Sequence, residues 1–179
     1  MLKCKTIRHT LDQVMSDYVA VPPQILTANQ HIVISGDIFF INGVPFLTTL
    51  SHTIHLTTAH YLADQKLSTI LKGLKKVLAI YSNRGFTMKC ALMDGQFEPL
   101  HEDLMSLGID LNMMAANEHV PLIEQQIRVI KECIHATRHL LPFKAIPLLM
   151  LIKMVHTYVK WHVQDDEPQN HYDWDPAQL

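Results

Sequence analysis

Cysteine is scarce in this 179-residue chain: Cys4, Cys90 and Cys133 stand far apart, and no C-x-x-C occurs. An odd number at such spacing argues against a disulfide framework and for a reducing, intracellular setting, nuclear or cytoplasmic. Long apolar runs are missing too. Residues 1–20 lack the continuous apolar core of a secretory signal. The most apolar stretch, LLPFKAIPLLMLIKMVHTYV (140–159), is broken by Pro142, Lys144, Pro147 and Lys153. That pattern predicts a buried or half-buried helix and no membrane span. No group of five or more basic residues marks a nuclear address, and no internal repeat recurs.

What is present is enough apolar material, 48% of residues, for one compact domain and too little length for two. Charge is unevenly spread. Residues 164–179 (QDDEPQNHYDWDPAQL) hold five of the 17 acidic groups and no Lys or Arg. Residues 1–163 therefore carry 12 acidic against 15 basic groups, a surplus of three positive charges. A mildly basic body permits a polyanionic partner. The expected organisation is an extended lead-in over 1–30, which contains VPPQ, a core over 31–163, and an acidic, disordered tail over 164–179.

Within the core, HIVISGDIFFI, VPFLTTLS and IHLTTAHYL are rich in Ile, Val, Phe and Thr and separated by short breaks, as in an antiparallel meander. Asn42-Gly43 between the first two is a hairpin signal, since both central positions of a type I′ turn need positive φ. The period then changes. Leu67, Ile70, Leu71, Leu74, Val77, Leu78 and Tyr81 recur at three and four, which predicts an amphipathic helix stopping near Asn83–Gly85. It feeds FTMKCALMD, a strand that must lie parallel to an earlier one because a helical crossover intervenes. EPLHEDLMSLG predicts a short helix and IDLNMM an edge strand. A long helix over 117–140, ended by Pro142, and another over 145–162 complete the chain. The order β-β-β-α-β-α-β-α-α describes an α/β domain with a mixed sheet.

Three carboxylates stand out in this arrangement. Asp37 interrupts an apolar strand, where a charge is costly unless paired, coordinated or at a solvated edge. Asp94 ends the fourth strand, 57 residues later, just before Gly95. Glu124 lies 30 residues beyond Asp94, near the start of the long helix, with Glu118 as an alternative on the approach. If the first and fourth strands are neighbours, both Asp side chains reach one end of the sheet and Glu124 can join them. Such a trio binds two divalent cations roughly 4 Å apart, the arrangement used in phosphoryl transfer. Arg128 and Lys131 follow Glu124 at i+4 and i+7, on one helix face, where they would meet a phosphate held by that centre.

With these residues in place, the chain resembles the integrase catalytic cores of retroviruses and retrotransposons, most nearly the integrase region of copia-type retrotransposon polyproteins. The resemblance covers about residues 31–140. It implies a ribonuclease H-like fold: a mixed five-stranded sheet, with a three-strand antiparallel meander plus parallel strands, flanked by helices. It implies that Asp37, Asp94 and Glu124 are the catalytic residues and ligands of a two-metal Mg²⁺ or Mn²⁺ site. Arg128, Lys131 and Arg138 would then bind DNA, and the chain would act as a polynucleotidyl transferase on DNA ends, as a homo-oligomer. The chain departs from the family pattern in having DGQFE after the second strand, where many members have Asn-Gly-Gly-Glu-Phe. It also has Gln125 where Arg is usual, and no upstream His/Cys zinc module. The alternatives are a catalytically dead, truncated remnant that keeps the fold, and a ribonuclease H-like nuclease.

Histidine is plentiful, with 12 residues. His135 and His139, at i and i+4, form a pair without a third ligand, and His52, His55 and His60 read as solvated positions. The Met and Leu content of 104–114 and 148–154 reads as core packing.

Overall fold

The computed structural model describes residues 21–113, 121–143 and 145–162. The first element among the described residues is a short helix, α1 (Pro23–Ala28), in what the sequence presents as extended lead-in. Pro22-Pro23 starts that helix instead of preventing it, because a proline at the first helical position loses no intrahelical hydrogen bond. The rest of the lead-in, residues 1–20, and the acidic tail lie outside the described residues.

Three antiparallel strands follow: β1 (His31–Ile41), β2 (Val44–Ser51) and β3 (Thr57–Tyr61). Asn42 and Gly43 turn β1 into β2 with φ of 51° and 77°, the positive pair a type I′ turn requires. Helix α2 (Leu67–Ser82) crosses over to β4 (Thr87–Met93), which pairs with β1 in parallel. Gly85, at φ 86°, lets the Phe86 N–H reach back 3.1 Å to the Tyr81 carbonyl and close α2. A 3-10 turn (Gly95–Leu100) and α3 (His101–Ser106) lead to β5 (Asp110–Met113), parallel to β4. The sheet order is β3-β2-β1-β4-β5. Helices α4 (Pro121–Leu140) and α5 (Leu148–His162) finish the chain.

β1 lies at the centre and is buried on both faces. Ile32 and Ile34 pack toward α2 and the 3-10 turn with Leu74, Val77, Met93 and Phe97. Phe39 and Ile41 face the opposite way, with Phe46, into α4 and α5 through Ile123, Ile127, Ile130 and Val155. Phe46 has no exposed surface. It stacks on Phe39 at 5.6 Å and meets Tyr61 edge-on at 6.1 Å. The hydroxyls of Thr137 and Tyr158 tie α4 to α5. Cys90 and Cys133 are free thiols. Among the described residues no helix is long and apolar enough to cross a membrane.

Candidate metal centre and nucleic-acid face

The register between β1 and β4 decides where the two aspartates go. Gly36 lies beside Met93 as the last pair of that parallel ladder, so Asp37 and Asp94 are the next positions on adjacent strands, at the carboxyl end of the pairing. Open α/β sheets form their sites at such ends. Gly36 permits the close fit. A Cβ at this position would lie 2.7 Å from Met93 Cε and 3.4 Å from its Cγ and Sδ. Because the methionine tip can yield, Gly36→Ala is expected to cost about 1–3 kcal/mol. Urea unfolding checks this, and a midpoint equal to that of the native chain would mean that the two strands do not depend on the close approach.

Asp37 is half-buried on the face that carries Thr48 of β2, and one of its oxygens, Oδ1, accepts the N–H of Ile38 at 2.6 Å. Burial, with the negative charges of Asp94 and Glu124 added, pushes its carboxyl above the usual range. The Ile38 N–H and the Lys131 ammonium oppose that shift. The charges of all three sequence-predicted carboxylates therefore act at one place. Asp94 and Glu124 are themselves exposed, and Glu124 sits in the first turn of α4, at the positive end of the helix dipole. Among the described residues, no three His, Cys, Asp or Glu side chains form a ready-made metal centre. The donor set of carboxylate oxygens without thiol or imidazole nevertheless suits a hard divalent cation. The carboxyl of Asp37, raised first by burial and then by the charges of Asp94 and Glu124, is what a bound cation would relieve. Glu118 lies outside the described residues.

Helix α4 presents Glu124, Ile127, Arg128, Lys131, Glu132 and His135 around a concavity of about 570 Å³. A residue every three or four positions keeps Glu124, Arg128, Lys131 and His135 in one stripe. Arg138 is exposed in the last turn, about 21 Å along the helix from Glu124 at 1.5 Å per residue, and does not line that concavity. His139 is exposed near the same end of α4.

No family model and no curated protein matches this chain. Solved structures do match. The catalytic core domain of BIV integrase superposes over 73% of this chain and 80% of its own length, with a TM-score of 0.53 and 12% identity. A chain of the simian T-cell lymphotropic virus intasome, solved in complex with PP2A regulatory subunit B56 gamma, superposes over 80% of this chain with a TM-score of 0.60 and 14% identity. The fold is that of a retroviral integrase core. The mixed five-stranded sheet is the ribonuclease H-like arrangement that the resemblance implies. This integrase-like core spans about half, 51%, of the intasome chain it matches.

Two histidines differ from their expected solvated positions. His52 Nε2 lies 2.5 Å from the Ser35 hydroxyl, which is fully buried. His60 is half-buried on β3, and its Nε2 is enclosed with no hydrogen-bond partner among the described residues. His55 is exposed, as expected. Only the flanking helices, which approach from distant parts of the chain, distinguish His60 from a surface residue, so strand periodicity carries no signal for it.

Proposed function

We propose that this chain is the catalytic core of a retroelement integrase, of the kind found in copia-type retrotransposon polyproteins. It would join element DNA ends to target DNA with Mg²⁺ or Mn²⁺, working as a homo-oligomer within the cell, in the nucleus or cytoplasm. The observation that carries the reading is the joint action of Asp94 and Glu124 on the half-buried Asp37, at the carboxyl end of adjacent parallel strands. These three residues would hold the metal, which supplies activation of a water or hydroxyl oxygen and stabilisation of the leaving oxygen. The chain's own contribution is placement. β1 and β4 fix two carboxylates by backbone register, the first turn of α4 presents the third, and Arg128 and Lys131 meet the phosphate one and two turns further on. Arg138, at the far end of the stripe, would contact the DNA backbone beyond the reacting phosphate.

Incubation with blunt DNA ends and Mn²⁺ tests the reading. Joined products support it. Salt-sensitive retention of DNA without joining identifies a non-catalytic remnant, and products from an RNA:DNA hybrid alone identify a nuclease. Replacing both Arg128 and Lys131 with Gln removes two phosphate contacts. The slope of log binding constant against log salt is then expected to become shallower by about 1.8. A slope unchanged in the double variant would place the DNA on another face.

A further inference from the structure

β3 is the outer strand of the sheet, and among the described residues no strand pairs with its far edge. Helices α2 and α5, which cover opposite faces of the sheet, flank that edge and leave a groove of about 310 Å³ along it. Leu56, Ala59, Ile80 and Val159 make the groove apolar, and the half-buried rings of His60 and His156 line it. Its banks are basic. On α2, Lys72, Lys76 and Ile80 follow one another at four residues, and on α5, Lys153, His156 and Lys160 follow at three and four, so each helix carries one stripe. Together α2, β3 and α5 hold five lysines and no Asp or Glu. All five are exposed, and among the described residues none is held in an ion pair. The two histidines register this field. Burial disfavours protonation of His60, and the charges of Lys76 and His156 add to it; burial likewise disfavours protonation of His156, and Lys153 and Lys160 add to that.

An apolar slot between two cationic banks suits a polymer with regular negative charge along its backbone and flat rings that can turn inward. Single-stranded nucleic acid is such a polymer, since its phosphates track cationic side chains while its unpaired bases stack on protein rings. A duplex keeps its bases paired and offers no free ring, and an acidic peptide offers charge alone. We infer that the groove at the free edge of β3 binds single-stranded nucleic acid, with phosphates on Lys76 and Lys160 and a base between Ile80 and Val159, against the histidine rings. Stacking uses the face of an imidazole, so it is the same whichever ring nitrogen carries the proton. The site is separate from the carboxylates. It shares no lining residue with the α4 concavity, and a strand held here requires neither a metal nor the integrase reading.

Fluorescence anisotropy of the full chain in EDTA, with labelled oligo-dT, oligo-U, an abasic strand and a blunt duplex of equal length, tests the inference. The oligo-dT and oligo-U arms separate DNA from RNA as the source of the strand. The abasic strand is expected to bind about five-fold more weakly or worse, because it keeps the charge and loses the stacked base. Replacing both Lys76 and Lys160 with Gln removes two phosphate contacts, so the slope of log binding constant against log salt for the single strand should become shallower by about 1.4. Both positions are exposed, and an unchanged melting temperature shows that the variant is folded. Replacing Arg128 and Lys131 should leave single-strand binding intact. Binding of single strands without any binding of duplex would sink the integrase reading and leave this one standing. Equal affinity for the abasic strand, or an unchanged salt slope in the Lys76 and Lys160 variant, overturns the inference. Polyglutamate that displaces the strand as well as unlabelled oligo-dT does also overturns it, in favour of an acidic protein. So does a dimer of the free chain that the same variant dissociates, because the groove would then be filled by a second copy.

Discussion

Asp94→Asn is expected to abolish the Mn²⁺-dependent rise in melting temperature and to reduce DNA joining to background. In the native chain, a cation present at 100 times its dissociation constant stabilises the folded state by about 2.7 kcal/mol. At 2–4 °C per kcal/mol for a domain of this size, that is a shift of roughly 5–11 °C. Asp94 is exposed and follows Met93, the last residue of β4, without supporting the core, so the metal-free variant should melt where the native chain does. Asp37→Asn should lose the same shift but differ in one respect. The carboxyl of Asp37 is raised by burial and then by Asp94 and Glu124. Its contribution to stability is therefore full below the unfolded value of 3.8 and is lost as pH rises through the higher folded value. At pH 7 the ionised group is unfavourable, and the metal-free Asp37→Asn protein is expected to melt at or above the native temperature, with the difference vanishing toward pH 3. A calorimetric scan with and without Mn²⁺ separates these effects. An undiminished Mn²⁺ shift in Asp94→Asn would remove that residue from the metal site.

Phe46→Ala carries the largest expected loss of stability. The ring is fully buried between Phe39 and Tyr61, on the face that α4 and α5 cover. Removing it leaves a cavity under both helices, at a cost of about 3–5 kcal/mol, or roughly 6–20 °C in melting temperature. Phe40, the neighbour of Phe39 on β1, is 43% exposed, and Phe40→Ala should change stability by only about 0.5 kcal/mol. The comparison bears on the site as well. Ile123 and Ile127, on either side of Glu124 in α4, rest on the Phe46 cluster, so a surviving Phe46→Ala protein is expected to bind Mn²⁺ more weakly. Equal Mn²⁺ affinity in the folded variant would show that α4 is seated independently of this cluster.

Much of this arrangement is legible in the residues themselves. Asn42-Gly43 announces the hairpin because few dipeptides accept two positive φ angles, and the three-and-four spacing from Leu67 to Tyr81 announces α2. A helix between two strands makes them parallel, but that Asp37 and Asp94 share one sheet end also needs the first and fourth strands to be neighbours, which only the sheet order β3-β2-β1-β4-β5 supplies. Other features depend on approach in three dimensions. VPPQ reads as extended chain, although its second proline opens α1. The influence of Lys131 on Asp37 crosses from helix to strand, and nothing in local spacing reveals it. The separation of Arg138 from the α4 concavity follows from helix length, which matters as much as helix face. The enclosure of His60 depends on two helices flanking an outer strand, and such tertiary burial leaves no trace in a period of two.

The parallel pairing of β1 with β4 also sets an order of events during synthesis. Gly36 waits for Met93, 57 residues downstream, whereas the β1–β2 hairpin needs only the adjacent turn and closes in microseconds. At 5–20 residues per second, the ribosome takes about 3–11 s to deliver the missing strand. For that interval β1 has an unpaired inner edge, open to other nascent chains, and Asp37 exists without the neighbour that would make it useful.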